Sequence, residues 1–215
     1  MKIGIVCYPT FGGSGVVATE LGLQLSKSNY EVHFITYKQP VRLEIINSSL
    51  FFHEVNVPVY PLFHYQPYEL ALSSKLVDTV KKYNIELLHV HYAIPHAYAA
   101  YMTKKILQSE NINIPIITTL HGTDITLVGK HPFYKPAVRF SINNSDFVTS
   151  VSEDLKKETI KLLDVKKSIK VIPNFVDFSK HLYHTNDFNR GFIARDDEKI
   201  VSHVSNFRKV KRTLD

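Results

Sequence analysis

The sequence predicts an α/β fold in which a parallel sheet is doubly wound, with helices on both faces. Strand-like runs alternate with segments of helical period from residue 2 to residue 176. Several of those runs, such as E-L-L-H-V-H, are apolar enough to be buried on both faces. A glycine cluster, Y-P-T-F-G-G-S-G, closes the first strand and opens the first helix.

The first unit is K-I-G-I-V-C (2–7) as a strand, a helix over 15–27, and the strand E-V-H-F-I-T (31–36). F-F-H-E-V-N-V (51–57) reads as a further strand. A loop rich in Pro and Tyr leads to a helix over 68–83 with Leu70, Leu72, Leu76, Val77 and Val80 on its apolar face. E-L-L-H-V-H (86–91) is next, and Pro95 is placed to start a helix reaching about residue 108. P-I-I-T-T-L (115–120) precedes a helix near 133–143, and D-F-V-T-S-V (146–151) precedes one that Ser152 should cap, with Glu153 and Asp154 in its first turn. I-K-V-I-P-N-F-V (169–176) closes this first domain, 1–176.

Residues 177–198 are polar and read as a linker or surface helix. K-I-V-S-H-V-S-N-F-R (199–208) starts another strand, and T-L-D follows almost at once. The expectation is a two-domain protein cut just inside its second domain, of which 199–215 supply the first strand and loop.

Composition narrows the function classes. With 44% hydrophobic and 21% charged residues in 215, the chain can form a globular core. No run approaches the roughly 18–20 apolar residues of a membrane helix, and the N-terminus lacks a signal-like stretch, so a cytoplasmic protein is expected. The single cysteine, Cys7, excludes an internal disulfide framework. The net charge of +6 is spread along helices, with only K-V-K-R clustered, which suits a cleft for small anions better than nucleic acid.

In a sheet of this kind ligands gather at the carboxyl ends of the strands. The loops there read Y-P-T-F-G-G-S-G, H-Y-A-I-P-H and H-G-T-D. Gly13-Ser14-Gly15-Val16-Val17-Ala18 formally fits the dinucleotide fingerprint, so an NADP-binding oxidoreductase domain is a rival reading. The second strand should then end in an acid for the ribose, yet Tyr37, Lys38 and Gln39 follow it. No G-K-[ST] is present either, which removes a Walker-type nucleotidase. What remains is an anion site at a helix N-terminus or, more simply, a tight strand-to-helix turn. His121, directly after a strand, is placed for a ligand, and Tyr92, which also follows a strand, offers a phenol to a polar ligand. His89, His91 and His96 raise the possibility of a metal, but no carboxylate accompanies them at useful spacing, so none is expected.

Together, C-Y-P-T-F-G-G-S-G-V-V-A-T-E-L-G, H-V-H-Y-A-I-P-H-A, T-T-L-H-G-T-D-I-T and V-S-N-F-R-K-V-K-R resemble the N-terminal portion of the retaining GT4 glycosyltransferases, most closely those joining N-acetylglucosamine to L-malate in bacillithiol synthesis. The resemblance covers essentially the whole chain. It implies a GT-B enzyme of two facing Rossmann-like domains, the first mainly holding L-malate and the second mainly UDP-GlcNAc. On that resemblance Gly13 and Gly15 approach the donor diphosphate, helped by Asn206, Arg208 and Lys211. Ser14, Tyr92, Thr119, Thr123 and Arg139 hold the acceptor, and His121 lies near the reacting centre as the catalytic residue. The resemblance further implies no cofactor, no metal and a homodimer, and the charge pattern leaves no nucleic-acid partner expected. A GT4 enzyme with another acceptor, such as a cell-surface glycan precursor, stays open. Many GT4 enzymes carry G-R-L-x-x-x-K-G where S-N-F-R-K-V-K-R stands here, so Arg208 would do the work of the arginine that Asn206 replaces. The family's paired-glutamate segment would lie beyond Asp215, so this chain alone is expected to turn over little or nothing.

Overall fold

The structure is a computed structural model that describes residues 1–44, 48–59, 61–62, 64–180, 190–205 and 212. It falls into two units, Met1–Phe175 and Val176–Asp215.

In the first unit, β1 (Lys2–Val6), β2 (Glu31–Thr36), β3 (Leu50–Glu54), β4 (Leu87–His91), β5 (Ile116–Leu120), β6 (Phe147–Ser150) and β7 (Ile169–Val171) form one sheet. Its order is β3-β2-β1-β4-β5-β6-β7, and every neighbouring pair is parallel. The order reverses between β1 and β4, the point at which such sheets open a crevice beyond their carboxyl ends.

Helices α1 (Gly13–Lys27), α2 (Tyr68–Tyr83), α3 (Tyr98–Ser109), α4 (Lys135–Asn143) and α5 (Glu153–Leu163) cover the sheet. The alternation of side chains along each strand decides which face they meet. Ile3, Ile5, Val32 and Phe34 pack with Ala18 of α1 on one face. Val6, Ile35, Leu88 and Val90 pack on the other with Leu72 and Leu76 of α2 and Leu107 of α3. That second face continues past Leu120 and Val148 to Ile142 of α4 and Leu155 of α5. The start of α5 follows the sequence expectation: the Ser152 hydroxyl accepts from the Leu155 amide at 3.1 Å, with Glu153 and Asp154 in the first turn.

Pro95 does not open a helix at its first position. It lies in the wide π-helical turn Ala93–Ala97, and α3 begins only at Tyr98.

In the second unit the described residues contain single 3₁₀ turns at Phe178–Lys180 and Arg190–Phe192. The strand expected over 199–208 is not formed by residues 199–205. A strand is held by the hydrogen bonds of its neighbour, and no described residue pairs with this segment. Among the described residues no helix is long and apolar enough to cross a membrane.

Candidate active site

Three loops meet at the carboxyl ends of β1, β4 and β5. The β1 loop brings Tyr8 against the Tyr92 ring edge-on, with centroids 5.2 Å apart, and against His96 at 4.6 Å. Burial, then the neighbouring Tyr92, pushes the Tyr8 phenol up to about 12, so it stays protonated. The loop then turns into α1, whose cap residue Gly12 offers no side chain and whose first turn holds no acid. The first amides of α1 therefore remain available to an anion. Gly15 is there for close packing, because a Cβ at that position would stand 2.3 Å from the Tyr8 carbonyl oxygen. Among the described residues nothing lies within 4 Å of the same construction at Gly13, so its surroundings there are open.

Tyr92 follows β4 with φ at 91°, a backbone region few side chains accept. Its hydroxyl lies 2.6 Å from the Thr123 hydroxyl in the β5 loop. The two loops are joined from below by Asp124. One carboxylate oxygen accepts from the His121 and Gly122 amides at 3.2 and 2.9 Å, and the other accepts from the Ala93 amide at 3.3 Å. Burial pushes this carboxyl up to about 6, while the three amides favour its ionised form.

His121 completes the group. Its Nε2 lies 2.8 Å from Nδ1 of His91, and its ring lies near Tyr92. Burial lowers His121 to about 4, with His89 and His96 adding to the effect, so the imidazole is neutral at neutral pH.

The sequence-derived residues are thus partly gathered. Tyr92, Thr123 and His121 share the crevice, and Gly13, Ser14 and Gly15 form the first turn of α1. Thr119 stands one step back on the sheet face, its hydroxyl between His89 Nε2 at 2.8 Å and the Thr149 hydroxyl at 2.7 Å. It lines, with His89, His91, Val17 and Leu21, a cavity of about 340 Å³ beside α1. Arg139 lies on α4, paired with Asp164 at 2.9 Å, and lines a separate depression with Lys135 and Phe140. Asn206, Arg208 and Lys211 lie outside the described residues. The structure adds Asp124, which sequence reasoning passed over within H-G-T-D. The signal was a lone acid entering the apolar run I-T-L-V-G. Among the described residues no group of three His, Cys, Asp or Glu side chains is arranged to hold a metal.

Residues 11–180 match the sequence pattern of Glycosyltransferase Family 4. The chain belongs to glycosyltransferase family 4. That match, rather than the glycine fingerprint, decides against a nicotinamide enzyme. Among its relatives in this family is a Bacillus anthracis protein named N-acetyl-alpha-D-glucosaminyl L-malate synthase, 47% identical over 100% of this chain and 56% of its own length. A glycosyltransferase of Methanocaldococcus jannaschii is 27% identical over 88% of this chain and 50% of its own length. The chain thus spans about half the length of these curated relatives. A solved glycosyltransferase from Rickettsia africae has the same fold, with a TM-score of 0.63 at 18% identity over 86% of this chain and 46% of that one. Sucrose-phosphate synthase from Thermosynechococcus elongatus gives 0.57 at 15% identity, over 90% of this chain and 100% of that one.

Proposed function

We propose that this family 4 chain is the acceptor-holding half of a retaining glycosyltransferase that moves N-acetylglucosamine from UDP-GlcNAc to the hydroxyl of L-malate, the first step of bacillithiol synthesis. The observation that carries the reading is the 47% identity across the whole chain to the Bacillus anthracis malate synthase. The chemistry of the crevice supports it, being made of hydroxyls, amides and a neutral imidazole rather than a carboxylate nucleophile.

In this reading the amides around Gly13 and Gly15 approach the donor diphosphate, and Ser14, Tyr92, Thr119 and Thr123 hold malate. Arg139, paired with Asp164 and lining a separate depression, takes no part in holding malate in this reading. Asn206, Arg208 and Lys211 meet the departing diphosphate. The bond from the anomeric carbon to the phosphate oxygen breaks as the bond to the malate oxygen forms on the same face. The malate proton passes to the leaving phosphate oxygen. No step calls for a metal, and the enzyme works as a cytoplasmic homodimer.

The test is UDP release from UDP-GlcNAc by the full-length protein, with L-malate, D-malate or no acceptor, in the presence of EDTA. Release that depends on L-malate and ignores EDTA supports the reading. Release stimulated by another hydroxylated acceptor, and not by malate, replaces malate and keeps the family.

A further inference from the structure

His91 is the last residue of β4, is buried, and has no part in the reading above. It stands opposite Thr119 in the sheet register, so His121, two residues further along, is its diagonal neighbour on the same face. The His91 and His121 rings are inclined by 28° with centroids 5.1 Å apart, and Nδ1 of one lies 2.8 Å from Nε2 of the other. They therefore meet nearly edge to edge, and one nitrogen donates while the other accepts. Burial holds His91 well below the ordinary histidine value and His121 at about 4, so each ring is neutral and carries a single ring proton.

Two arrangements satisfy that pair. If His121 donates, His91 must carry its proton on Nε2, and that atom is buried without any partner among the described residues. A buried N–H lacking an acceptor is the rarer and costlier outcome. If His91 donates, its Nε2 holds only a lone pair, and no buried N–H of this pair is left without an acceptor.

We propose that the His91 Nδ1–H donates to His121 Nε2 and fixes His121 as the tautomer protonated on Nδ1. His91 is thus a positioning residue, acting on the site through its neighbour's tautomer. Nδ1 is the nitrogen of His121 with no hydrogen-bond partner among the described residues. His121 then presents a neutral N–H to the crevice and keeps no free lone pair. It binds an oxygen of the ligand, a hydroxyl or a phosphate oxygen, and does not act as a base. The identity of that oxygen rests on the glycosyl-transfer reading, whereas the tautomer does not.

The experiment is long-range ¹H–¹⁵N correlation spectroscopy of the chain labelled with ¹⁵N-histidine, in which the two tautomers give different cross-peak patterns. A His121→Gln variant identifies the His121 signals. The expected result is an Nδ1-protonated His121 in the wild type, and the same in His91→Asn, whose amide N–H stands near the lost Nδ1–H. In His91→Leu the pattern shifts toward the Nε2-protonated form that imidazole prefers in water. An Nε2-protonated His121 in the wild type overturns the proposal, as does an unchanged Nδ1 form in His91→Leu. Should His91→Leu fail to fold, the wild-type and His91→Asn spectra decide by themselves. UDP release is scored separately: an Nδ1-protonated His121 without malate-dependent release upholds the positioning role and removes malate as the acceptor, and an Nε2-protonated His121 with malate-dependent release keeps malate and removes the positioning role.

Discussion

The Asp124 carboxylate, from the loop after β5, accepts the amide of Ala93 in the loop after β4 at 3.3 Å, so one buried side chain sets the spacing of two site loops. Replacing it with Ala strips the acceptor from three amides, those of Ala93, His121 and Gly122. Urea denaturation of Asp124→Ala should show a loss of about 3 kcal/mol or more. Asp124→Asn keeps the shape and supplies a smaller loss that depends on pH. The folded carboxyl titrates at about 6, above its ordinary 3.8, so its contribution is fully present below 3.8 and lost as pH rises through 6. The advantage of wild type over Asp124→Asn should therefore shrink between pH 4 and pH 6.5. An advantage that grew over that interval would contradict the burial of this carboxyl.

The histidines act in the opposite sense. His89, His96 and His121 are lowered to about 4 by burial, from an ordinary 6.5. A depressed folded value means stability that is present above 6.5 and lost as pH falls through 4. For His96 alone, wholly enclosed, the shift corresponds to about 3 kcal/mol when complete. Three such rings outweigh the single Asp124 carboxyl. Differential scanning calorimetry should show Tm falling steadily from pH 6.5 to pH 4, and a flat curve would be incompatible with neutral buried rings.

Tyr92 tests strain at the site. Its φ of 91° is open to glycine and costs other residues about 1–3 kcal/mol. Tyr92→Gly and Tyr92→Ala lose the same ring contacts with Tyr8 and His121. The glycine variant should be the more stable of the two by about 1 kcal/mol, reversing the usual order in which alanine gains from a less disordered unfolded chain. Thermal unfolding of the pair measures this directly, and alanine emerging as the more stable variant would show that the backbone is unstrained.

The sheet was legible because each strand carries its own evidence: runs such as K-I-G-I-V and E-V-H-F-I-T are apolar whatever surrounds them. The loops after β1, β4 and β5 could be located for the same reason. Asp124 was only partly legible: its bonds to the His121 and Gly122 amides are local, but the one that joins the loops exists only when Ala93 arrives from another loop, and no local pattern records that meeting. Pro95 misled in a similar way. Its ring suits the first turn of a helix, but Tyr92 and Ala97 are drawn into a wider turn, with the Ala97 amide on the Tyr92 carbonyl at 3.2 Å. Residues 199–205 have strand composition and, among the described residues, no neighbour, so composition alone did not make them a strand.

The two glycines of the first loop should separate folding from ligand binding. At Gly15 a Cβ would lie 2.3 Å from the Tyr8 carbonyl oxygen and 2.7 Å from that of Thr10, both backbone atoms that cannot swing aside. Gly15→Ala should therefore cost about 2–3 kcal/mol, measured by denaturant unfolding, through forced movement of the whole turn. At Gly13 the same construction meets nothing within 4 Å among the described residues, and the residue opens α1, where alanine is the better helix former. Gly13→Ala should leave stability unchanged or raise it by about 0.5–1 kcal/mol. If the open space at Gly13 admits the donor diphosphate, its methyl group intrudes on that anion, and UDP release by the full-length protein should fall although the fold is intact. Full activity in a stably folded Gly13→Ala would remove the diphosphate from this turn and leave Gly15 as a glycine kept for packing alone.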